Sequence, residues 1–68
     1  MNTQTQNILE YMQQGNSITP LEALNLFGCM RLGARIFEIK RSGYVVITKV
    51  KAVNGHKHVA EYSLANKD

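Results

Sequence analysis

Near Gly43 the apolar residues of this chain change from helical to extended spacing, and few folds of 68 residues accommodate that change. Upstream, Leu32, Ile36 and Ile39 recur at i, i+4 and i+7, the stripe of a helix with one buried face. Downstream, Tyr44 to Val53 is rich in β-branched residues and reads as a strand. Asn54-Gly55 follows, a strong hairpin signal, because both residues of a two-residue turn need positive φ. A return strand from His56 to Leu64 completes the hairpin. A two-residue loop sets Val45 opposite Leu64, Ile47 opposite Tyr62, Lys49 opposite Ala60 and Lys51 opposite His58. Val45, Ile47, Ala60, Tyr62 and Leu64 are then expected on the core side, while the tip gathers Lys49, Lys51, His56, Lys57 and His58.

The first half of the chain reads as two helices. Ile8, Leu9 and Met12 make one stripe, with Tyr11 beside it, on a helix expected from Thr3 to Gln14 and closed at Gly15. Ser17-Ile18 reads as a short extended piece. Thr19-Pro20-Leu21-Glu22 is a helix start. Threonine caps the N3 amide, proline occupies the position where no donor is needed, and glutamate at N3 closes a capping box. This second helix should run from Pro20 to Phe27, bury Leu21, Leu24 and Phe27, and stop at Gly28. The third helix is expected over residues 30–42. It starts at Cys29 or Met30 without a good cap, and its interior Gly33 costs about 1 kcal/mol relative to alanine.

Length and cysteine usage exclude several classes. The chain is expected to form one domain over residues 1–68, with an ordered core at about 3–64. One cysteine, Cys29, rules out an internal disulfide framework and a four-thiolate zinc site, and reads as a small buried apolar residue suited to a reducing cytoplasm. The longest apolar run is far below the roughly 18 residues of a membrane helix, and the polar start, Met1 to Asn7, does not resemble a signal peptide. No phosphate loop, catalytic triad or pair of acids is present, so the expectation is a protein that is not an enzyme and needs no cofactor. His56 and His58 point the same way on a strand, but without a third and fourth ligand no metal site is expected.

The distribution of charge is more informative than its total. Residues 1–30 carry two acidic side chains and no basic one, whereas residues 31–68 carry eight basic and three acidic ones. A chain with this asymmetry presents an oriented surface to a polyanion, although a basic skew alone is also compatible with ordinary solubility.

Three helices, the second and third joined by a tight glycine turn, followed by a C-terminal β-hairpin wing, make an α+β winged helix-turn-helix. In that arrangement the short second helix and the hairpin hold the third helix by its apolar face. The opposite face, expected to carry Arg31, Ala34, Arg35, Glu38 and Arg41, is left to enter a major groove about 12 Å wide. The stretches Ser17 to Ala23, Leu32 to Ile36, Gly43-Tyr44 and Val59 to Tyr62 resemble the small phage-type winged helix-turn-helix DNA-binding domain family, over about Ile8 to Leu64. The resemblance implies double-stranded DNA as the partner, and phage or prophage origin.

Within that frame Arg31 and Arg35 are the expected base readers, because arginine pairs bidentately with guanine. Lys40 and Arg41 lie further along and suit phosphate. Lys49, Lys51, His56, Lys57 and His58 suit a backbone grip by the wing, and lysines there also discourage edge-to-edge strand addition. Protonation of the two histidines in mildly acidic solution would tighten that grip. Ser17 and Thr19 could offer a hydroxyl to a phosphate, with capping the simpler role for Thr19. Glu38 either accepts from cytosine or, as we expect, pairs with a neighbouring arginine. The expected role is a transcriptional regulator or an excisionase-like architectural factor, acting as a dimer, in tandem copies or with a partner protein because one small domain covers few base pairs. The rival is a phage-encoded inhibitor that binds a host protein without DNA, with an apolar patch around Met1, around Tyr11 or around Val50 and Val59. A third reading is an accessory subunit that dimerises through its first helix.

Overall fold

The computed structural model describes residues 2–53, 55 and 57–65. Three helices, α1 (Thr3–Gln13), α2 (Pro20–Phe27) and α3 (Leu32–Arg41), precede two strands, β1 (Val46–Val53) and β2 (Lys57–Leu64). Each element starts within about two residues of its expected position.

Helix α1 begins on a cap that the sequence reading does not include: the Asn2 side chain accepts from the Thr5 amide at 2.7 Å. Its inward face carries Thr5, Ile8, Leu9 and Met12. Helix α2 carries the full capping box. The Thr19 hydroxyl accepts from the Glu22 amide at 3.3 Å, and the Glu22 carboxylate accepts from the Thr19 amide at 3.0 Å. Gly28 ends α2 with φ 65°, a left-handed conformation costly for a residue with a Cβ, and its amide donates to the Leu24 carbonyl at 2.9 Å.

The strands pair antiparallel, from Val46 opposite Leu64 to Val53 opposite Lys57. Three residues therefore separate the paired ends, not two, and the expected register is corrected by one. A one-residue slip reverses the faces of one strand relative to the other. Val46 replaces Val45 and Ile47 on the inward side, joining Tyr62 and Leu64 against the core, while Val45 and Ile47 are exposed. Asn54 and His56 of the turn lie outside the described residues. The extended piece at Ser17-Ile18 bridges the far side of β2, with Ile18 and Tyr62 exchanging two backbone hydrogen bonds of 2.9 Å.

The core is one cluster of Ile8, Leu9, Met12, Ile18, Ala23, Cys29, Leu32, Ile36 and Ile39. Half-buried Tyr11 and Phe27 pack at its edge, their rings edge to face at 5.7 Å. Cys29 is buried, as the sequence reading expects. In α2 the expected core set needs correction. Leu21 and Leu24 are 66% and 45% exposed; Phe27 packs against the core as expected, and Ala23, one turn before it, faces inward in place of the leucines. Methyl-sized Ala23 is wholly buried, and the Cys29 amide folds back onto its carbonyl at 3.1 Å.

Candidate nucleic-acid interface

Helix α3 owes its position to its inner stripe. Leu32, Ile36 and Ile39 are buried, and no side chain among the described residues caps its first turn, where Arg31 stands at the N-cap. Packing therefore does for α3 what the capping box does for α2, and its outer face is free of structural duties over most of its length. Arg31, Gly33, Phe37, Lys40 and Arg41 are exposed there, with Ala34 half-buried beside them. Lys40 and Arg41 also sit in the last turn, where the helix dipole favours cations.

Arg35 is not part of that free face. Its side chain is only 21% exposed, Nη2 lies 3.3 Å from a Glu38 carboxylate oxygen, and its Nε is enclosed without a hydrogen-bond partner among the described residues. The other Glu38 oxygen accepts from the hydroxyl of Thr5, a residue wholly buried in α1. Arg35, Glu38 and Thr5 thus form a polar strut from α3 to α1. The physical reason is angular: Arg35 flanks the buried stripe one residue before Ile36, so the outward position expected for it is corrected to a bracing one. The pairing of Glu38 with a neighbouring arginine agrees with the sequence reading.

On the hairpin, Lys49, Lys51 and Lys57 occupy register positions on the face opposite the Val46–Tyr62–Leu64 side, and all are exposed. That face is not uniformly basic. Glu61 lies opposite Lys49, approaches Lys51 Nζ at 3.9 Å, and accepts from the Ser17 hydroxyl at 3.0 Å. Lys57, opposite Val53, lies nearer the tip. His58, opposite Ala52, is on the reverse face, so the expected cluster of Lys49, Lys51 and His58 is divided between two faces by the register. His56 lies outside the described residues. Thr19 is 7% exposed with its hydroxyl in the capping box, which leaves it turned away from a surface ligand.

Sequence reasoning missed two apolar exposures. Phe37 is 59% exposed on the outer face of α3, with the Arg41 guanidinium 5.8 Å from its ring centroid. The signal was available, since Phe37 falls outside the Leu32–Ile36–Ile39 stripe. Leu21, Leu24, Leu26 and Met30 are also exposed, around α2 and the turn after it. Of the patch residues proposed from sequence, Val50 is exposed, Tyr11 is packed against the core, Val59 is half-buried on the opposite face of the hairpin, and Met1 lies outside the described residues.

Three helices, a tight turn between the second and third, and an antiparallel wing behind an exposed basic helix face define a winged helix-turn-helix protein. The chain belongs to the winged helix-turn-helix domain family, whose family model matches residues 3–67. No curated protein and no solved structure matches it. Membership implies a DNA-binding, regulator-type function, in a family that is typically non-enzymatic. No helix among the described residues is long and apolar enough to cross a membrane.

Proposed function

We propose that the protein binds double-stranded DNA with α3 in the major groove and the wing on the backbone, as a phage- or prophage-type transcriptional regulator or excisionase-like architectural factor. The observation that carries this reading is the division of α3: Leu32, Ile36 and Ile39 are buried, while Arg31, Phe37, Lys40 and Arg41 face solvent on a helix held rigidly from behind. Arg31, at the N-terminal end that meets base edges in recognition helices, is the base reader, with Ala34 close to the groove floor. Lys40 and Arg41 hold phosphates beyond it. Lys49, Lys51 and Lys57 supply the wing's charge on one face, and His58 adds a hydrogen-bonding group on the other. Arg35 contributes as a positioning residue through Glu38. The phage-type role rests on the resemblance of the short motifs alone.

Binding through about five phosphates gives a log–log salt slope of about −4.5, so affinity should fall about 500-fold between 50 and 200 mM salt. Fluorescence anisotropy with random and selected duplexes at the two salt concentrations tests this directly. Affinity that is independent of salt, or no binding in dilute buffer, overturns the reading.

A second reading has its own observation. The exposed Leu21, Leu24, Leu26 and Met30 favour a protein contact, either with a second copy that would extend the DNA site or with a host protein inhibited without DNA. Sedimentation of the protein alone and with a selected duplex separates a self-associating DNA binder from a monomer that ignores DNA.

A further inference from the structure

Resting on the DNA-binding reading, we propose that Phe37 reads a thymine methyl group through a side-chain-poor notch formed by Gly33 and Ala34. Gly33 lies one turn before Phe37 and Ala34 three residues before it, so on a helix both adjoin the ring on its N-terminal side. A Cβ built on Gly33 meets no atom within 4 Å, and its φ is not in the left-handed region. Neither packing nor backbone geometry therefore asks for glycine, although glycine inside a helix is unfavourable relative to alanine. Ala34 adds only a methyl. The outer face of α3 is thus low at Gly33 and Ala34 and rises at Phe37, which is 59% exposed.

The chemistry of the ring narrows what it can recognise. Phenylalanine offers no hydrogen bond, so it cannot read the donors and acceptors of a base edge. The C5-methyl of thymine is the apolar group displayed in the major groove, and an aromatic ring is a suitable contact for it. Arg41, 5.8 Å from the ring centroid, holds the ring and places a cation beside it, where a flanking phosphate can neutralise it. The notch brings the helix axis closer to the bases than a longer side chain at either position would permit.

The test uses the full chain and a duplex recovered by selection from random-sequence DNA. Each thymine is replaced in turn by deoxyuridine, which removes only the methyl. One or two positions should bind about fourfold more weakly, the loss expected for one buried methyl. The same replacement should leave the affinity of Phe37→Ala unchanged. Gly33→Ala should raise the melting temperature yet bind the selected duplex more weakly and discriminate less between thymine and deoxyuridine. Because Phe37 and Gly33 are exposed, both variants should fold, and their melting curves verify it. A duplex in which no thymine responds, or Phe37→Ala with the full thymine preference, overturns the proposal. So does Gly33→Ala that binds like the parent. Failure of the parent protein to enrich or bind any duplex instead overturns the DNA-binding reading beneath it.

Discussion

Helices α2 and α3 flank the same tight turn but are held in opposite ways. Local signals define α2: a capping box at Thr19 and Glu22, proline at its first position, and a left-handed glycine at its end. It buries only Ala23 fully and leaves Leu21, Leu24 and Leu26 on the surface. Helix α3 has no side-chain cap among the described residues and an unfavourable interior glycine, yet it buries three large aliphatic residues and is braced to α1 through Glu38 and Thr5. A helix positioned by its inner face can leave its outer face to a ligand. The element that contacts DNA in the proposed complex is therefore the one whose own sequence supports it least.

The largest expected effect lies in the inner stripe. Ile39→Ala should cost about 2–5 kcal/mol in urea unfolding, because Ile39 is wholly buried. Leu21→Ala in α2 should stay within about 0.5 kcal/mol, since most of that side chain is already in water; similar losses for the two would erase the contrast. Next comes the outer face of α3. Arg31→Ala combined with Arg41→Ala should weaken a selected duplex by roughly tenfold or more, at about 1–3 kcal/mol for a base-reading arginine. The melting temperature of the pair should be close to the parent's, and unaltered binding would move the interface away from α3.

Smaller effects probe the helix starts. Thr19→Ala should cost about 1 kcal/mol by opening the capping box, read as a shifted urea midpoint. Arg31→Ser should do the reverse for α3. A hydroxyl at its uncapped start should add a few tenths of a kcal/mol of stability while DNA affinity falls. A serine variant that is neither more stable nor weaker in binding would show that Arg31 is not held there at the expense of a cap.

Much of this contrast is legible in the residues. The capping box needs only Thr19, Pro20 and Glu22 in sequence, and the stripe of α3 needs only the spacing of Leu32, Ile36 and Ile39. Three features resisted the same reasoning. The hairpin register depends on the length of its loop, and one added residue moved Val46 inward and Ile47 outward. In α2, Leu21 with Leu24 and Ala23 with Phe27 are both helical pairs, and spacing places Phe27 inward without saying that Ala23, not the leucines, joins it. The choice of the smaller pair leaves the leucines exposed. Arg35 sits at the border of its helix's buried stripe, and only the nearby α1, bringing Thr5 to Glu38, decides that it braces the fold.

What the amino-acid order determined alone is the succession of elements and the side of the chain on which charge accumulates. Both follow from interactions within a few residues: caps, turns, hydrophobic period and composition. Tertiary structure decided which of two equivalent apolar faces α2 buries, the pairing of the strands, and which arginines of α3 remain free. Those outcomes depend on what lies across the core, and burial is a property of two packed surfaces that neither segment specifies by itself.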